Sequence, residues 1–336
     1  MTDITQFKYT RKDFASDQMV RWCPGCGDYA ILSQLQKTLA EQGLPKENVA
    51  VISGIGCSSR FPYYMNTYGI HSIHGRAPTL ASGLKIANPD LQVWVITGDG
   101  DGLSIGGNHF IHAIRRNMDI NIILFNNRIY GLTKGQYSPT SKRGAITKTS
   151  PMGVIEHAFN PISVALGVEA TFVARTVDSH VKHMGEMFRR AAEHKGTSFV
   201  EVYQNCVIFN DGAWSYAKDA KEWKEHLVEA ENGKPLVFGK NMDKGIVRRG
   251  FDFEVVSLDK TPESELVVHD ESDLQLAFAM SRMHYPALPE PIGVIHAVET
   301  HSYEEDLIDQ VARAQAKNGP GDLKALYNAG ETWEVA

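Results

Sequence analysis

No apolar run in the sequence approaches the length of a membrane-spanning helix, which is about 18 residues. The first residues also lack the charged and then apolar pattern of a secretory signal. There is no basic block, since 34 Lys and Arg residues are set against 40 Asp and Glu residues and the net charge is −6. Proteins that bind nucleic acid usually carry such a block to neutralise phosphates. These absences predict a cytoplasmic protein with no membrane and no nucleic acid as partner.

Cysteine is scarce as well, with four residues in a chain of 336. They are Cys23, Cys26, Cys57 and Cys206. In a large chain without a secretory signal, so few cysteines are expected to serve as thiols, metal ligands or catalysts and not as disulfides. The remaining composition is ordinary for a globular protein, with 43% hydrophobic and 22% charged residues. The chain can therefore bury a sizeable core, and collagenous, coiled-coil and disordered classes are excluded.

Short β-branched runs alternate with helix-like stretches up to about residue 205. The runs lie at 48–54, 92–98, 120–126 and 198–204. Nearly continuous apolar strands of this kind are typical of a parallel sheet that is buried on both faces. We therefore predict a doubly wound, mostly parallel α/β domain, in which ligands bind at the carboxyl ends of the strands.

The last third of the chain has a different pattern, with a turn-rich stretch after residue 230 and isolated strand and helix signals. We divide the chain into a cofactor-binding domain, residues 1–230, and a C-terminal extension, residues 231–336. The extension is expected to pack on the main domain or to contact a partner subunit.

A glycine-rich segment follows the strand predicted at 92–98. It consists of Gly98, Asp99, Gly100, Asp101 and Gly102. Asp99 lies 28 residues before Asn127, which follows the next predicted strand. A strand, a crossover helix and a second parallel strand take about 30 residues, so both side chains are expected at one edge of the sheet. A carboxylate and an amide oxygen suit Mg²⁺, and the glycines let backbone N–H groups approach a diphosphate.

This spacing matches the signature of thiamine diphosphate enzymes, in which GDG is followed after a fixed interval by NN. In this chain 25 residues, 101–125, separate the two motifs. By this resemblance, Asp99 and Asn127 bind Mg²⁺ through their side chains, and Ile129 binds it through its carbonyl oxygen. The alternative is a glycine-rich turn followed by an unrelated pair of asparagines at a strand end.

The four cysteines are predicted to meet at the same edge. Cys23 and Cys26 form a C-x₂-C pair in WCPGCGDY, and Cys57 and Cys206 lie at the ends of predicted strands. If those strands are parallel neighbours, all four thiols emerge beside the diphosphate. Four cysteines can bind a [4Fe–4S] cluster or a structural zinc ion, and their spacing does not select between them. Buried thiols without a ligand role are the other alternative for Cys57 and Cys206.

With these motifs in place, the sequence closely resembles the β subunit of 2-oxoacid:ferredoxin oxidoreductases, most of all the 2-oxoglutarate members. The resemblance rests on WCPGCGDY, GIGCSSRFPYY, HGRAPTLASGLK, GDGDGLSIGGNH, FNNRIYGLTKGQYSPTS and NCVIFN. It implies a thiamine diphosphate-binding fold of the pyrophosphate-domain type, with thiamine diphosphate and Mg²⁺ next to one [4Fe–4S] cluster. The cluster ligands implied by the family are Cys23, Cys26, Cys57 and Cys206.

The resemblance also implies a reaction and its partners. A 2-oxoacid, coenzyme A and oxidised ferredoxin give an acyl-CoA, CO₂ and reduced ferredoxin, and the reverse reaction is a reductive carboxylation. The expected 2-oxoacid is 2-oxoglutarate, which gives succinyl-CoA. Thiamine diphosphate stabilises carbanions, and a low-potential cluster removes electrons singly. The chain shows the diphosphate-binding half of a thiamine site, so we expect an α subunit with the pyrimidine domain, in an (αβ)₂ assembly.

Further site residues are assigned from their place beside these motifs. Catalytic roles are expected for His74, Arg60 and Thr133, and Arg60 is the candidate to meet a substrate carboxylate. A surface ion pair is the alternative for Arg60, and ordering of the loop is the alternative for Thr133 and Lys134. The predicted cofactor-binding residues are Gly98, Asp99, Gly100, Asp101, Gly102, Asn127, Ile129, His74, Gly75, Cys57 and Ser58.

Two other functions compete with this interpretation. A non-redox thiamine diphosphate-dependent decarboxylase or lyase shares the GDG and NN motifs, but it has no use for four converging cysteines. A non-catalytic scaffold around a metal cluster uses the cysteines, but it does not require the 28-residue spacing between Asp99 and Asn127.

Overall fold

The apolar, β-branched segments form the strands of one large sheet. The computed structural model describes residues 7–250 and 252–335. The strands are β1 (Val49–Ser53), β2 (Tyr68–His71), β3 (Gln92–Gly98), β4 (Asn121–Asn126), β5 (Phe172–Val177), β6 (Ser198–Tyr203), β7 (Leu227–Ala230), β8 (Val237–Phe238), β9 (Lys244–Arg249), β10 (Asp252–Ser257) and β11 (Glu290–Ala297). Every residue of β1, β4, β5 and β6 is buried, as expected for central strands that are covered on both faces.

Helices precede, connect and follow these strands. They are α1 (Asp28–Gln42), α2 (Ala77–Ala87), α3 (Asp99–Leu103), α4 (Gly107–Arg115), α5 (Pro161–Gly167), α6 (Val181–Glu193), α7 (Ser215–Lys218), α8 (Trp223–His226), α9 (Leu274–Met280), α10 (Tyr303–Asn318) and α11 (Leu323–Tyr327). Short 3₁₀ turns lie at Arg11–Phe14, Lys46–Asn48, Ser58–Tyr64 and Glu263–Glu265.

The main sheet has the strand order β2-β1-β3-β4-β6-β5-β11-β7. The neighbouring pairs from β2 to β5 are all parallel. β11 runs antiparallel to β5, and β7 is parallel to β11. The doubly wound, mostly parallel α/β fold predicted from the sequence is confirmed. The carboxyl ends of β1, β3, β4 and β6 therefore meet at one edge.

Alternating residues of the strands supply two separate cores, one on each face of the sheet. In β1, Val49 and Val51 pack with side chains of α1 and α6. Ala50 and Ile52 point the other way and pack with side chains of α2 and α4. This alternation follows from the two-residue repeat of a strand, and it fixes the register of the central strands because both faces are apolar.

The C-terminal extension contributes a strand to the main sheet. β11 lies beside β5, and Gly293 is opposite Arg175. The buried Arg175 donates from Nε to Glu201 Oε2 at 2.8 Å and from Nη1 to Pro291 O at 3.2 Å. Groups on β6 and β11 thus bind the guanidinium group of this β5 residue. These bonds offset the cost of removing its charge from water. The boundary at residue 230 stays a prediction, and residues on its two sides share one sheet.

The rest of the extension forms a small antiparallel sheet, β10-β9-β8, the helix α9, which packs against α5 and β11, and the last two helices, α10 and α11. Ser302 and Glu305 make a capping box at the start of α10, and most side chains of both helices are exposed. Among the residues that the structure describes, no helix has both the length and the apolar character needed to cross a membrane.

Candidate active site

Most of the predicted site residues meet at the carboxyl edge of the main sheet, in a cavity that we call the Asp99 cavity. It has a volume of about 440 Å³ and lies where β1, β3 and β4 end. The predicted residues in its lining are Cys57, Ser58, His74, Gly98, Asp99, Gly100, Asp101, Asn127, Ile129 and Thr133. The structure therefore brings the two halves of the GDG and NN signature together.

Asp99 is the first residue of α3 and is 1% exposed. Its Oδ2 accepts hydrogen bonds from Ser138 Oγ and Thr140 Oγ1, both at 2.5 Å. Burial raises the pKa of Asp99 to about 6, although the two hydroxyl groups act in the opposite direction. A buried carboxylate whose partners are neutral hydroxyls suits a divalent cation, because the cation supplies the missing positive charge. The donor chemistry at Asp99 thus fits Mg²⁺.

Asp101 is also buried, and both oxygens of its carboxylate form hydrogen bonds with other groups of the protein. Oδ1 accepts from the backbone N–H of Gly75 at 2.7 Å and of Ile55 at 3.0 Å. The same oxygen bonds His74 Nδ1 at 2.6 Å, and Oδ2 accepts from Thr97 Oγ1 at 2.8 Å. An ionised carboxylate can only accept, so Nδ1 of His74 carries the proton in this bond. Asp101 therefore orients the His74 ring on the wall of the Asp99 cavity.

Glycines permit the close packing around these two carboxylates. A Cβ on Gly100 would lie 2.4 Å from the ring of Tyr130, whose hydroxyl donates to Gly100 O at 2.6 Å. Gly75 has a φ of +69°, and a Cβ there would lie 2.5 Å from Gly106 N. Gly75 and Gly102 lie outside the lining of the Asp99 cavity. Their expected contact with the cofactor stays a prediction.

Asn127 follows β4, and both ends of its amide group are held. Oδ1 accepts from Ile129 N at 3.1 Å, and Nδ2 donates to Gln204 Oε1 at 2.8 Å. Between the two predicted ligands, Arg128 adopts a φ of +59°, which turns the chain sharply. The turn places the Asn127 side chain and Ile129 on the same wall of the Asp99 cavity. This arrangement fits the expected pair of Mg²⁺ ligands.

Thr133 and Lys134 lie on the loop that follows this turn. Both side chains are exposed, and Lys134 has a φ of +79°. Thr133 Oγ1 donates to Gln136 Oε1 at 2.5 Å, and Thr133 and Gln136 border the Asp99 cavity. Thr133 thus orders the loop at the rim of the cavity, and its catalytic role stays a prediction.

A second cavity, which we call the cysteine cavity, has a volume of about 220 Å³ and all four cysteines in its lining. Cys23 and Cys26 lie in the turn before α1, where Cys26 N donates to Cys23 O at 3.1 Å. Cys57 follows β1, and Cys206 follows β6. All four cysteines thus line one cavity, and their role as ligands of one metal centre stays a prediction.

The cysteine cavity is electrostatically unfavourable for bare thiolates. Burial raises the pKa of Cys57 to about 12 and also raises that of Cys26, and the charge of Asp28 adds to both shifts. Burial and the neighbouring Asp178 raise the pKa of Asp28 to about 7. Asp28 Oδ2 is buried and has no hydrogen-bond partner among the described residues. A positively charged metal centre would remove these penalties, since it stabilises thiolate ligands, so the donor set fits such a group.

The four thiols surround the cysteine cavity and do not meet at one point. Within residues 7–250 and 252–335, no three His, Cys, Asp or Glu side chains converge at the spacing that one metal ion requires. Gly131 passes between two of the thiols, and a Cβ on it would lie 3.4 Å from Cys57 Sγ and 3.6 Å from Cys206 Sγ. Cys57, Gly131 and Asn127 line both cavities, so the two sites share a wall.

Arg60 lies in the lining of the cysteine cavity and outside that of the Asp99 cavity. Its Nε donates to Tyr64 OH at 3.1 Å, which holds the side chain beside the 3₁₀ turn at Ser58–Tyr64. The expected contact between Arg60 and a substrate carboxylate therefore stays a prediction.

Several residues that shape the site were missed by the sequence reasoning. The signal for Ser138 and Thr140 is the segment YSPTS, which places hydroxyl groups on both sides of Pro139 shortly after the NN motif. Gln204 gave no local signal, because the side chains that it bonds lie 77 and 178 residues away along the chain. Such contacts become visible only when the strands are assembled.

Comparison with known proteins gives one family model and several relatives. Residues 54–202 match the model described as "Thiamine pyrophosphate enzyme, C-terminal TPP binding domain". The chain is 51% identical to the 2-oxoglutarate oxidoreductase subunit KorB of Mycobacterium tuberculosis, over 96% of this chain and 88% of that protein. It is 48% identical to the 2-oxoacid:ferredoxin oxidoreductase 1 subunit beta of Aeropyrum pernix, over 63% of this chain and 65% of that protein.

A solved structure is also similar over nearly the whole chain. It is the 2-oxoglutarate:ferredoxin oxidoreductase from Magnetococcus marinus with 2-oxoglutarate, coenzyme A and succinyl-CoA bound. The TM-score is 0.78 and the sequence identity 32%, and the match covers 98% of both chains. The likeness therefore includes the segments that form both cavities.

Proposed function

Because the chain belongs to the family of 2-oxoacid:ferredoxin oxidoreductase β subunits, we propose that it catalyses, with an α subunit, the coenzyme A-dependent oxidative decarboxylation of a 2-oxoacid. Electrons pass to ferredoxin, and the reaction is reversible as a reductive carboxylation. The observation that carries the proposal is the wall shared by the Asp99 cavity and the cysteine cavity. Because of this wall, the proposed decarboxylation site would lie directly beside the four thiols.

The 2-oxoacid that we propose is 2-oxoglutarate, which gives succinyl-CoA. The Mycobacterium tuberculosis relative is named a 2-oxoglutarate oxidoreductase subunit. The Magnetococcus marinus enzyme carries 2-oxoglutarate, coenzyme A and succinyl-CoA in its solved structure. These names support a five-carbon dicarboxylate over a shorter 2-oxoacid.

The Asp99 cavity is proposed to hold thiamine diphosphate with Mg²⁺. When bound, the cofactor supplies a carbanion-stabilising centre that no amino-acid side chain provides. Asp99 and Asn127 would bind Mg²⁺ through side-chain oxygens, and Ile129 through its carbonyl oxygen. Ser138 and Thr140 keep the Asp99 carboxylate in place through their hydrogen bonds to Oδ2. The backbone around Gly98–Gly102 would approach the diphosphate.

The cysteine cavity is proposed to hold one [4Fe–4S] cluster with Cys23, Cys26, Cys57 and Cys206 as ligands. These residues would keep a one-electron acceptor next to the reacting 2-oxoacid, since Cys57 borders both cavities. Cys23 is exposed, and this exposure supports an approach of ferredoxin from the side of that residue.

Three other side chains are proposed to act on the substrate or cofactor. His74, held through Nδ1 by Asp101, is placed to contact the diphosphate or to hold a proton in the Asp99 cavity. Thr133 acts from the rim of this cavity, and Arg60 acts on the substrate carboxylate from the neighbouring wall. The pyrimidine-binding half of the thiamine site comes from the α subunit, in an (αβ)₂ assembly.

The test is an anaerobic purification of the chain with its α partner. Iron, acid-labile sulfide, zinc and thiamine diphosphate are measured per β chain, together with ferredoxin reduction that depends on 2-oxoglutarate and coenzyme A. We expect iron, sulfide and thiamine diphosphate in the complex, and no turnover by the β chain alone. Thiamine diphosphate without iron would favour the non-redox lyase, and zinc without thiamine diphosphate would favour the scaffold.

A further inference from the structure

One buried side chain, Gln204, contacts a predicted ligand of each site. It follows β6 directly and is 1% exposed. Its backbone N–H donates to Asn126 O at 3.0 Å, which continues the ladder between β4 and β6 and brings the next residues of both strands together. Gln204 Oε1 accepts from Asn127 Nδ2 at 2.8 Å. Gln204 Nε2 donates to Cys26 Sγ at 3.3 Å and to Asn205 O at 2.7 Å.

Backbone groups fix the orientation of both amides in this chain of hydrogen bonds. Ile129 N can only donate, so the atom of Asn127 that it meets must be the oxygen Oδ1. Asn127 therefore presents its NH₂ group to Gln204. Asn205 O can only accept, so the Gln204 atom beside it must be Nε2. A flip of either amide would set donor against donor or acceptor against acceptor, and Cys26 Sγ thus faces an N–H group.

We propose that Gln204 is a positioning residue shared by the two sites, which presents Asn127 to Mg²⁺ and donates a hydrogen bond to the cluster ligand Cys26. The inference rests on the proposed function, because it assigns Asn127 and Cys26 as ligands. It adds a physical link between the two cavities that passes through a single amide group.

The bond to Cys26 acts on the reduction potential of the cluster. An N–H group pointing at a ligand sulfur stabilises negative charge there, and the reduced cluster carries more negative charge than the oxidised one. The hydrogen bond therefore favours the reduced state and makes the potential less negative. Loss of the N–H group shifts the potential to more negative values.

The bond to Asn127 acts on metal affinity. Gln204 Oε1 holds Asn127 Nδ2, and Ile129 N holds Asn127 Oδ1, so the amide plane is fixed before any metal binds. Loss of a partner that orients a metal ligand typically weakens metal binding by about 10-fold to 100-fold. Thiamine diphosphate binding that depends on Mg²⁺ weakens with it.

Two substitutions separate these effects in the α/β complex. Gln204→Met removes all three side-chain hydrogen bonds, those with Asn127, Cys26 and Asn205 O, at similar side-chain length. Gln204→Glu keeps an oxygen acceptor for Asn127 but replaces the NH₂ group that donates to Cys26 Sγ and to Asn205 O. The matched control is Gln36→Met, which removes another buried glutamine whose Nε2 donates to Tyr64 O at 3.1 Å. The midpoint potential is measured by an anaerobic redox titration followed by electron paramagnetic resonance, and thiamine diphosphate affinity by calorimetry in Mg²⁺.

We expect Gln204→Met to shift the potential negative and to weaken thiamine diphosphate binding by about 10-fold or more. Gln204→Glu shifts the potential negative and keeps cofactor affinity close to wild type, and Gln36→Met changes neither quantity. An unshifted potential in both Gln204 variants at wild-type iron content overturns the inference. Loss of the cluster from both variants, with Gln36→Met intact, also overturns it, because Gln204 would then serve assembly and not tuning. A wild-type complex without iron and sulfide would instead overturn the proposed function.

Discussion

The Asp99 cavity and the cysteine cavity share a wall, yet the chain supplies many more hydrogen bonds to the acidic groups of the first than to those of the second. In the Asp99 cavity, the carboxylates of Asp99 and Asp101 accept hydrogen bonds from several groups of the chain. In the cysteine cavity, burial raises the pKa of Cys26 and Cys57, and Asp28 Oδ2 has no partner among the described residues. Burial raises the pKa of Asp99 as well, so a positive centre is favourable in both cavities. The Asp99 cavity offsets part of the cost of burial with its own hydrogen bonds, whereas the cysteine cavity depends more on a bound metal centre.

The difference reflects how each cavity is assembled. In the Asp99 cavity, the predicted Mg²⁺ ligands come from the segments that directly follow β3 and β4, and backbone N–H groups of Ile55 and Gly75 supply part of the hydrogen bonding to Asp101. Around the cysteines, the ligands come from three separate segments, and thiols are weak hydrogen-bond partners. Apart from substitutions of Gln204, which contacts a predicted ligand of each site, substitutions in one cavity should therefore leave the other unchanged. The two cavities should also respond differently to removal of their ligands.

The largest difference between the two cavities is expected for Asp99→Ala, which removes a predicted Mg²⁺ ligand from one cavity only. We expect the purified complex to lose its thiamine diphosphate completely, while iron stays at the wild-type content. Cofactor and iron are measured on the same anaerobic sample. Asp90→Ala, at an exposed aspartate, is the control and should change neither. Wild-type thiamine diphosphate content in Asp99→Ala would show that Asp99 holds no metal.

The reciprocal substitution is Cys206→Ser, which removes a predicted cluster ligand from the cysteine cavity. We expect iron and sulfide to fall to background and ferredoxin reduction to be lost, because a hydroxyl group is a poor ligand for iron. Substantial thiamine diphosphate binding should remain, since the hydrogen bonds around Asp99 do not involve Cys206. An iron content equal to that of wild type would remove Cys206 from the ligand set.

Removal of the ligands themselves tests which cavity depends on its occupant for stability. After chelation of iron, we expect the midpoint of thermal unfolding to fall by about 5 °C or more, since metal binding at such sites contributes to folding. Removal of thiamine diphosphate and Mg²⁺ should lower it less, because the Asp99 cavity keeps its internal hydrogen bonds. Calorimetric scans of both depleted complexes measure the difference. An equal or reversed order would contradict the comparison.

The smallest expected effect comes from Thr140→Val, which keeps the shape of the side chain and removes one donor to Asp99 Oδ2. Ser138 still holds that oxygen, so we expect Mg²⁺-dependent thiamine diphosphate binding to weaken by about 10-fold and not to disappear. Calorimetric titration gives the affinity. Thr149→Val, at an exposed threonine of the following loop, is the matched control. Equal affinities in both variants would show that Thr140 does not position Asp99.

Much of the site was predictable because it depends on local sequence patterns. The run of buried β-branched residues in β1, β3, β4 and β6 predicts a parallel sheet, and parallel strands bring their carboxyl ends to one edge. The spacing between Asp99 and Asn127 equals one crossover, so their proximity follows from chain geometry. The same reasoning placed Cys57 and Cys206 at that edge.

Tertiary structure alone decided the contacts between distant segments. The position of β11 beside β5, and of Arg175 against Glu201 and Pro291 O, depends on a strand that is far away in sequence. The side-chain partners of Gln204 lie just after β4 and just before α1, and Arg60 lines the cysteine cavity. Periodicity and spacing describe neighbours along the chain. The sequence by itself therefore determined the parallel sheet, the edge at which the GDG and NN motifs meet, and the four cysteines expected at that edge. Which side chains then meet across that edge depends on packing, which only the assembled fold specifies.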